Sequence, residues 1–353
     1  MGLTKAALTA MLDEFIETHN ILACGSVQRV YWFSYNPNGG YWEYLPLREL
    51  GEQISKLFGI NQPTFISRAM KILQDKCLCL KTPDWGAKRL DNFTNGTLEL
   101  DTGTLREYRP DDYLTWCHTY DYNPAANECP NFDAFMSTIA NGKQSRIDFL
   151  TDAMAYILYG DNRLQKIFFL VSDSPSECGE TAFLRLLKML FARKNHSLFM
   201  NTVSQVYPSM IGNPIGQIWL MGAKINLVCN MNLNLLPYCG IGLQALSESC
   251  ELIGYYRFHT TGSFTNRAKT FVECTRVPEF GNTLYEMGLR LMFCRFTNKM
   301  PNAYALDSLE PEIPAIYNRI YSAYKALRER ERQRSYDVIR PCCDNVEILQ
   351  SLK

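Results

Sequence analysis

The sequence has no excess of charge of either sign. Lysine and arginine together number 36 among the 353 residues, and aspartate and glutamate also number 36. A protein that grips nucleic acid over its whole surface needs a basic excess to neutralise phosphates. The balance therefore excludes that class and leaves room only for a local basic stripe. Hydrophobic residues at 46% and charged residues at 20% also exclude a largely disordered chain.

Long apolar runs are absent as well. No stretch approaches the roughly 18 apolar residues of a membrane span. The N-terminal segment MGLTKAALTAMLDEFIETHN has charges inside its apolar part, which is typical of an amphipathic helix and unlike a secretion signal. We therefore expect a cytoplasmic protein without a membrane partner.

The paired spacings of metal ligands are also missing. The 13 cysteines are scattered, and neither Cys77/Cys79 nor Cys342/Cys343 has the CxxC spacing of a zinc ribbon. The 4 histidines show no HxxxH-type spacing. We expect reduced thiols and no metal site.

The segments that are present predict an α/β protein. An N-terminal helix, an aromatic hairpin around Asn36-Pro37-Asn38-Gly39-Gly40 and two amphipathic helices form a small α+β module. The hairpin aromatics, which include Trp32 and Trp42, are either a docking surface or the core of this module. Strand-like segments cut by Asn95-Gly96 and Thr102-Gly103 follow, and then a helical stretch, QSRIDFLTDAMAYILYG.

A mainly parallel sheet flanked by helices is predicted for the rest of the chain. Strands separated by helices and long connections favour this architecture. The predicted strands lie at 166–171, 225–230, 270–275 and 291–296, and a long helix is predicted at 312–334.

The first of these strands leads through a short turn into a helix, as in a phosphate-binding P-loop. A P-loop has the pattern Gly-x-x-x-x-Gly-Lys-[Ser/Thr]. The equivalent octet here keeps Gly179 and Thr181, but it has Ser174 for the first glycine and Glu180 for the lysine. A carboxylate at that position repels a triphosphate that lysine would attract. By itself, the octet also fits an ordinary strand-to-helix turn.

An ordered series of short motifs gives the turn a context. The series comprises the segments 95–103, 122–124, 155–160, 165–166 and 313–328. Together these resemble the phage and plasmid primase-helicases of superfamily 3. The resemblance implies a P-loop, AAA+-like core at 161–300, after a helicase-associated module at 1–85 and a linker with a helical lead-in at 86–160. A helical segment at 301–353 would end the chain.

The resemblance also implies where the site residues fall. The Walker B strand, expected to end in acidic residues, ends at Asn230, and the sensor asparagine is replaced by Thr275. Arg290 matches the arginine that faces a neighbouring subunit's nucleotide. With Glu180 in place of lysine, we expect a degenerate ATPase that has no cofactor. We expect it to act in DNA replication as a DNA-binding, scaffolding or modulating subunit.

Two alternatives stay open. One is an active ATP- and magnesium-dependent DNA helicase in which Arg163, Lys166 or Lys188 replaces the missing lysine. The other is an interaction protein that targets a replication protein of a competing element. In either case, the resemblance implies single-stranded or forked DNA, further copies of the chain or an active homologue as partners.

A DNA-contacting hairpin is implied between the Walker B and sensor strands. The sequence ELIGYYRFHTTGSFTNRAKTF predicts a hairpin with its turn at Thr261-Gly262. The candidates for phosphate contact are Arg257, His259, Arg267 and Lys269. The alternative is a surface hairpin whose aromatic residues fill a core face.

Overall fold

The computed structural model describes residues 4–26, 29–79, 83–172, 179–191, 202–256, 259–298 and 306–352. Among these, only the backbone is described for residues 5, 25, 26, 29, 79, 255, 256 and 259–262. The helices are α1 (Lys5–His19), α2 (Leu47–Phe58), α3 (Pro63–Cys77), α4 (Pro130–Ile139), α5 (Gln144–Tyr156), α6 (Glu180–Phe191), α7 (Pro214–Gln217), α8 (Gly240–Ser247), α9 (Thr283–Met287), α10 (Ile313–Arg332) and α11 (Cys343–Ser351). The strands are β1 (Ile21–Ser26), β2 (Arg29–Asn36), β3 (Tyr41–Leu45), β4 (Leu78–Cys79), β5 (Leu90–Phe93), β6 (Gly96–Glu99), β7 (Thr104–Arg106), β8 (Ile167–Ser172), β9 (Val203–Ser204), β10 (Ile225–Val228), β11 (Glu251–Tyr256), β12 (His259–Thr265), β13 (Lys269–Cys274) and β14 (Leu291–Phe296).

A parallel sheet forms the centre of the protein, with the strand order β14-β8-β13-β10-β9. Its strands are mostly apolar because both faces are covered. Phe168 and Phe271 pack towards α5, α6 and α10, whereas Phe169 and Phe293 pack on the opposite face with α8 and α11. The predicted α/β class and the predicted parallel sheet are thus confirmed.

The N-terminal module has its own sheet, in the order β3-β2-β1-β4. Trp32 and Trp42 are buried, so the aromatic residues of the hairpin form core and not a docking surface. The hairpin turn rests on the next segment, because the Asn92 side-chain amide donates to the carbonyls of Gly39 (2.6 Å) and Gly40 (3.0 Å). Gly40 has a φ of 67°, a left-handed conformation that favours glycine.

The segment 86–160 contains the small antiparallel sheet β5-β6-β7 and then α4 and α5. Phe93 and Leu98 of this segment belong to the same apolar core as Phe168 and Tyr317. The predicted domain boundaries stay predictions, although this segment packs as part of the core and not as a loose linker. Within the described residues, no helix has the length and apolar character needed to cross a membrane.

Candidate nucleotide site at the carboxyl edge of the sheet

The candidate nucleotide site begins where α6 follows β8. Residues 173–178 of the connection, including the predicted Ser174, lie outside the described residues. Gly179 has a φ of 95°, and its carbonyl accepts from the Phe183 amide at 2.8 Å, which starts the helix. Gly179 is therefore required by the backbone conformation, as in a P-loop.

Glu180 occupies the first turn of α6 and is only 7% exposed. A carboxylate in the first turn interacts favourably with the partial positive charge at a helix N-terminus. That same end of a helix is where a P-loop binds phosphate. Glu180 thus suits the start of the helix, but it places negative charge where the phosphates of a nucleotide would lie.

Thr181 is held by Glu273, a residue that the sequence did not single out. Its Oγ1 donates a hydrogen bond to Oε1 of Glu273 at 2.7 Å. Glu273 lies near the carboxyl end of β13, which the sheet order places beside β8. In a P-loop this hydroxyl holds magnesium, and here its proton is donated to a carboxylate of the same chain.

The Glu273 carboxylate also acts on the neighbouring strand. Burial and, after it, the charge of Glu273 raise the pKa of Cys229 to about 11. Cys229 follows directly on β10, the strand that matches Walker B. Glu273 therefore lies between the helix α6 and the strand β10.

Asn230 and Thr275, two further predicted site positions, lie at the carboxyl ends of the adjacent strands β10 and β13. Both are exposed, and Asn230 has a left-handed φ of 56°. Neither supplies a carboxylate: an amide cannot act as a base, and a threonine hydroxyl has a short reach. The structure thus brings the positions together without the acidic chemistry that Walker B provides.

Arg290 lies at the opposite, amino edge of the sheet, directly before β14. Its Nη1 donates to Ser247 Oγ at 2.9 Å and forms an ion pair with Glu248. It cannot reach the start of α6 in its own chain. A role for Arg290 in catalysis would thus require a neighbouring copy, and it would require Glu248 to release the guanidinium.

The hairpin between β10 and β13 differs from the prediction. Thr261-Gly262, the predicted turn, lies inside β12, and the connection to β11 falls at residues 257–258. The prediction placed the turn at Gly262, but Gly262 pairs with Gly254 across the hairpin. The strand β12 lies against β1 and β2 of the N-terminal module. Arg257 lies outside the described residues, as does the side chain of His259.

Lys269 is not a DNA contact, which corrects the prediction. It begins the central strand β13, is 1% exposed, and donates through Nζ to the carbonyls of Tyr159 (2.7 Å) and Arg267 (2.8 Å). Burial lowers the pKa of Lys269 well below its ordinary value. Arg267 is also engaged, since its Nη atoms donate to the Gly160 carbonyl and to Asp84, both at 2.5 Å.

A buried charged cluster around Asp91 was also missed from the sequence. The Asp91 carboxylate is fully buried and accepts from Lys224 Nζ (2.5 Å), Trp116 Nε1 (2.8 Å) and the Tyr317 hydroxyl (2.8 Å). Although burial alone would raise it, Lys224 and then His118 hold the pKa of Asp91 well below its ordinary value. The cluster joins the 86–160 segment, the residue before β10 and the helix α10.

One group of side chains in the described residues has the chemistry of a metal site. The ligand atoms of Cys294, Cys342 and Asp344 lie within 4.8 Å of one another, and all three residues are buried. Both Asp344 oxygens already accept from Arg146 at 2.7 Å. An occupied carboxylate beside a guanidinium disfavours a bound cation, so the expectation of no metal site stays a prediction.

The comparisons with known proteins agree with this architecture. Residues 10–141 match the family model described as D5 N terminal like. The match covers less than half of the chain. Together with the shared fold described next, it supports the resemblance to phage primase-helicases.

Two solved structures share the fold over almost the whole chain. The first, "The A form apo structure of NrS-1 C terminal region-CTR", has a TM-score of 0.61 and 8% sequence identity, and it covers 97% of this chain and 74% of that one. The second, "The apo structure of NrS-1 C terminal region (305-718)", has a TM-score of 0.62 and 8% identity, and it covers 99% of this chain and 76% of that one. At this identity, the likeness concerns the fold alone.

Proposed function

We propose that the chain is a catalytically degenerate superfamily 3 helicase-like protein of a phage, plasmid or other mobile element. It acts in DNA replication as a DNA-binding, scaffolding or modulating subunit. The observation that carries this proposal is Glu180, a carboxylate buried in the first turn of α6 at the position where a P-loop has its lysine.

Charge at the start of α6 supports the same conclusion. Glu180 is buried in the first turn, and Glu273 lies against the next residue. Two like charges about 4 Å apart repel by roughly 4 kcal/mol at an intermediate dielectric. A triphosphate in the usual position would meet this repulsion without the lysine that normally offsets it.

An active ATPase is the second candidate, and it needs a replacement cation. Lys166 donates to the Leu289 carbonyl at 2.6 Å and Arg163 pairs with Asp161 at 2.5 Å, so both cations are held near the amino edge of the sheet. Lys188 is exposed on α6. Burial and Glu273 raise the pKa of Cys229, whereas the charge of Lys188 lowers it. Lys188 is therefore the replacement that this alternative requires.

Turnover separates these two functions. The degenerate protein should hydrolyse no ATP, with or without single-stranded DNA. If the purified chain hydrolyses ATP and Lys188→Ala abolishes this activity, the protein is an active ATPase and the proposal of a degenerate protein is wrong. A pull-down against replication proteins tests the third candidate, an interaction protein that targets a competing element.

A further inference from the structure

The helices α2 and α3 are joined by a short, fixed turn. Gly59 ends α2 in the left-handed conformation with a φ of 63°, and its amide donates to the Ser55 carbonyl. Pro63 then begins α3. The rings of Phe58 and Phe65 pack edge to face across the turn, with centroids 5.2 Å apart. Two helices linked by a short glycine-containing turn are typical of a helix-turn-helix unit.

The inner face of α3 is fixed to the module beneath it. Ala69 and Leu73 are fully buried, in the same core as Leu12 of α1 and Trp32 of β2. On α2, a Cβ on Gly51 would lie only 3.3 Å from Met70 Cε, so the two helices approach closely. The helix is thus supported along its length, and its outer face is held in one orientation.

The outer face of α3 is an exposed polar stripe. Thr64, Ser67, Arg68 and Lys71 are exposed at helical spacing. Within the described part of the chain, neither Arg68 nor Lys71 forms an ion pair. We call these four residues the α3 stripe.

The charge around the α3 stripe differs from that of the chain as a whole. Over residues 47–77, which include α2 and α3, five basic residues (Arg48, Lys56, Arg68, Lys71 and Lys76) outnumber three acidic ones (Glu49, Glu52 and Asp75). The whole chain, in contrast, has no net charge. A local positive surface complements the phosphates of nucleic acid.

We propose that α2 and α3 form a helix-turn-helix that binds double-stranded DNA, with the α3 stripe in the major groove. An α-helix with its side chains is about 10–12 Å across, which suits a major groove about 12 Å wide. Arg68 matches guanine edges, Thr64 matches thymine methyl groups, and Lys71 matches phosphate. This site goes beyond the proposed function, because it names duplex DNA and does not depend on the nucleotide pocket.

The test is DNA binding by the full chain without nucleotide. Fluorescence anisotropy would compare a labelled mixed-sequence duplex with a single strand of the same length, over a salt series. We expect Arg68→Ala/Lys71→Ala to weaken duplex binding about tenfold or more and to lower the salt slope by about 1, because Lys71 is the phosphate contact. The melting temperature should not change, because both side chains are exposed.

A matched control removes two exposed cations elsewhere. Lys325→Ala/Arg332→Ala on α10 loses the same charge and should bind duplex DNA like the wild type. Ser67→Glu, a second variant, places a carboxylate on the stripe and should also weaken binding. The helix-turn-helix assignment is overturned if the wild type binds no duplex at low salt, or if the control and the stripe variants bind equally well.

Discussion

The hydroxyl of Thr181 donates a hydrogen bond to the carboxylate of Glu273 at 2.7 Å, across the space between the strand-to-helix turn and the neighbouring strand. Thr181 keeps the residue type that a P-loop needs, but its partner is a carboxylate of the same chain. The bond is local structure in our account, and a metal is not needed to explain why the threonine is there.

Removal of this hydroxyl should therefore affect stability and not catalysis. Thr181→Val should lower the free energy of unfolding by about 1 kcal/mol, because a side-chain hydrogen bond is lost. Urea denaturation would measure this change. Glu273→Gln, which keeps an acceptor, should cost less. A turnover that Thr181→Val abolishes would instead show that the hydroxyl serves a bound metal.

Restoring the missing groups should restore some nucleotide affinity. Glu180→Lys supplies the cation that a P-loop uses, and Asn230→Asp supplies the Walker B carboxylate. We expect the double variant to remain folded and to bind ATP with magnesium more tightly than the wild type. Circular dichroism and calorimetry would measure the two properties. Unfolding of the double variant would contradict the assignment of these positions.

Lys269 and Arg267 should matter for folding and not for DNA. Lys269→Met removes the ammonium that donates to the Tyr159 and Arg267 carbonyls. The two carbonyls would lose a donor, and stability should fall by about 1 to 3 kcal/mol. The salt slope of any DNA binding should stay the same, and a slope that drops by about 1 would revive Lys269 as a phosphate contact.

The Asp91 cluster should make stability depend on pH. Its partners lower the pKa of Asp91 in the folded state, so the stabilisation is complete above the unfolded pKa of about 4. It is lost as the pH falls from there towards the lower folded pKa. Urea denaturation at pH 7 and pH 3 should therefore show a steeper loss for the wild type than for Asp91→Asn.

At neutral pH the same variant should be less stable by about 3 to 5 kcal/mol, because Lys224 is left buried without its partner. Asp91→Asn/Lys224→Met removes both charges and should recover part of this loss. If the double variant is as unstable as the single one, the ion pair is not the source of the effect.

Much of the central sheet could be predicted because its strands are continuous apolar runs. The strand predicted at 291–296 matches β14, and the helix predicted after the turn matches α6. The partner of Thr181 could not be predicted, since it depends on the spatial order of the strands, which puts β13 next to β8. A signal was present, however: Glu273 is a charged residue inside an apolar strand.

The prediction for Lys269 was wrong for a related reason. A lysine beside a hairpin is usually exposed, but this one begins a strand that is covered on both faces, opposite Ile225. The Asp91 cluster joins residues more than 200 positions apart in the chain, Asp91 and Tyr317 among them. Local patterns carry no information about such a contact.

Calorimetry of the purified chain with ATP and magnesium tests the central claim most directly. We expect no binding in the wild type, because Glu180 and Glu273 place negative charge at the start of α6, where a P-loop has its lysine. Clear binding of ATP in the presence of magnesium would contradict the degenerate-site account and would show that the chain binds nucleotide through an unusual phosphate loop.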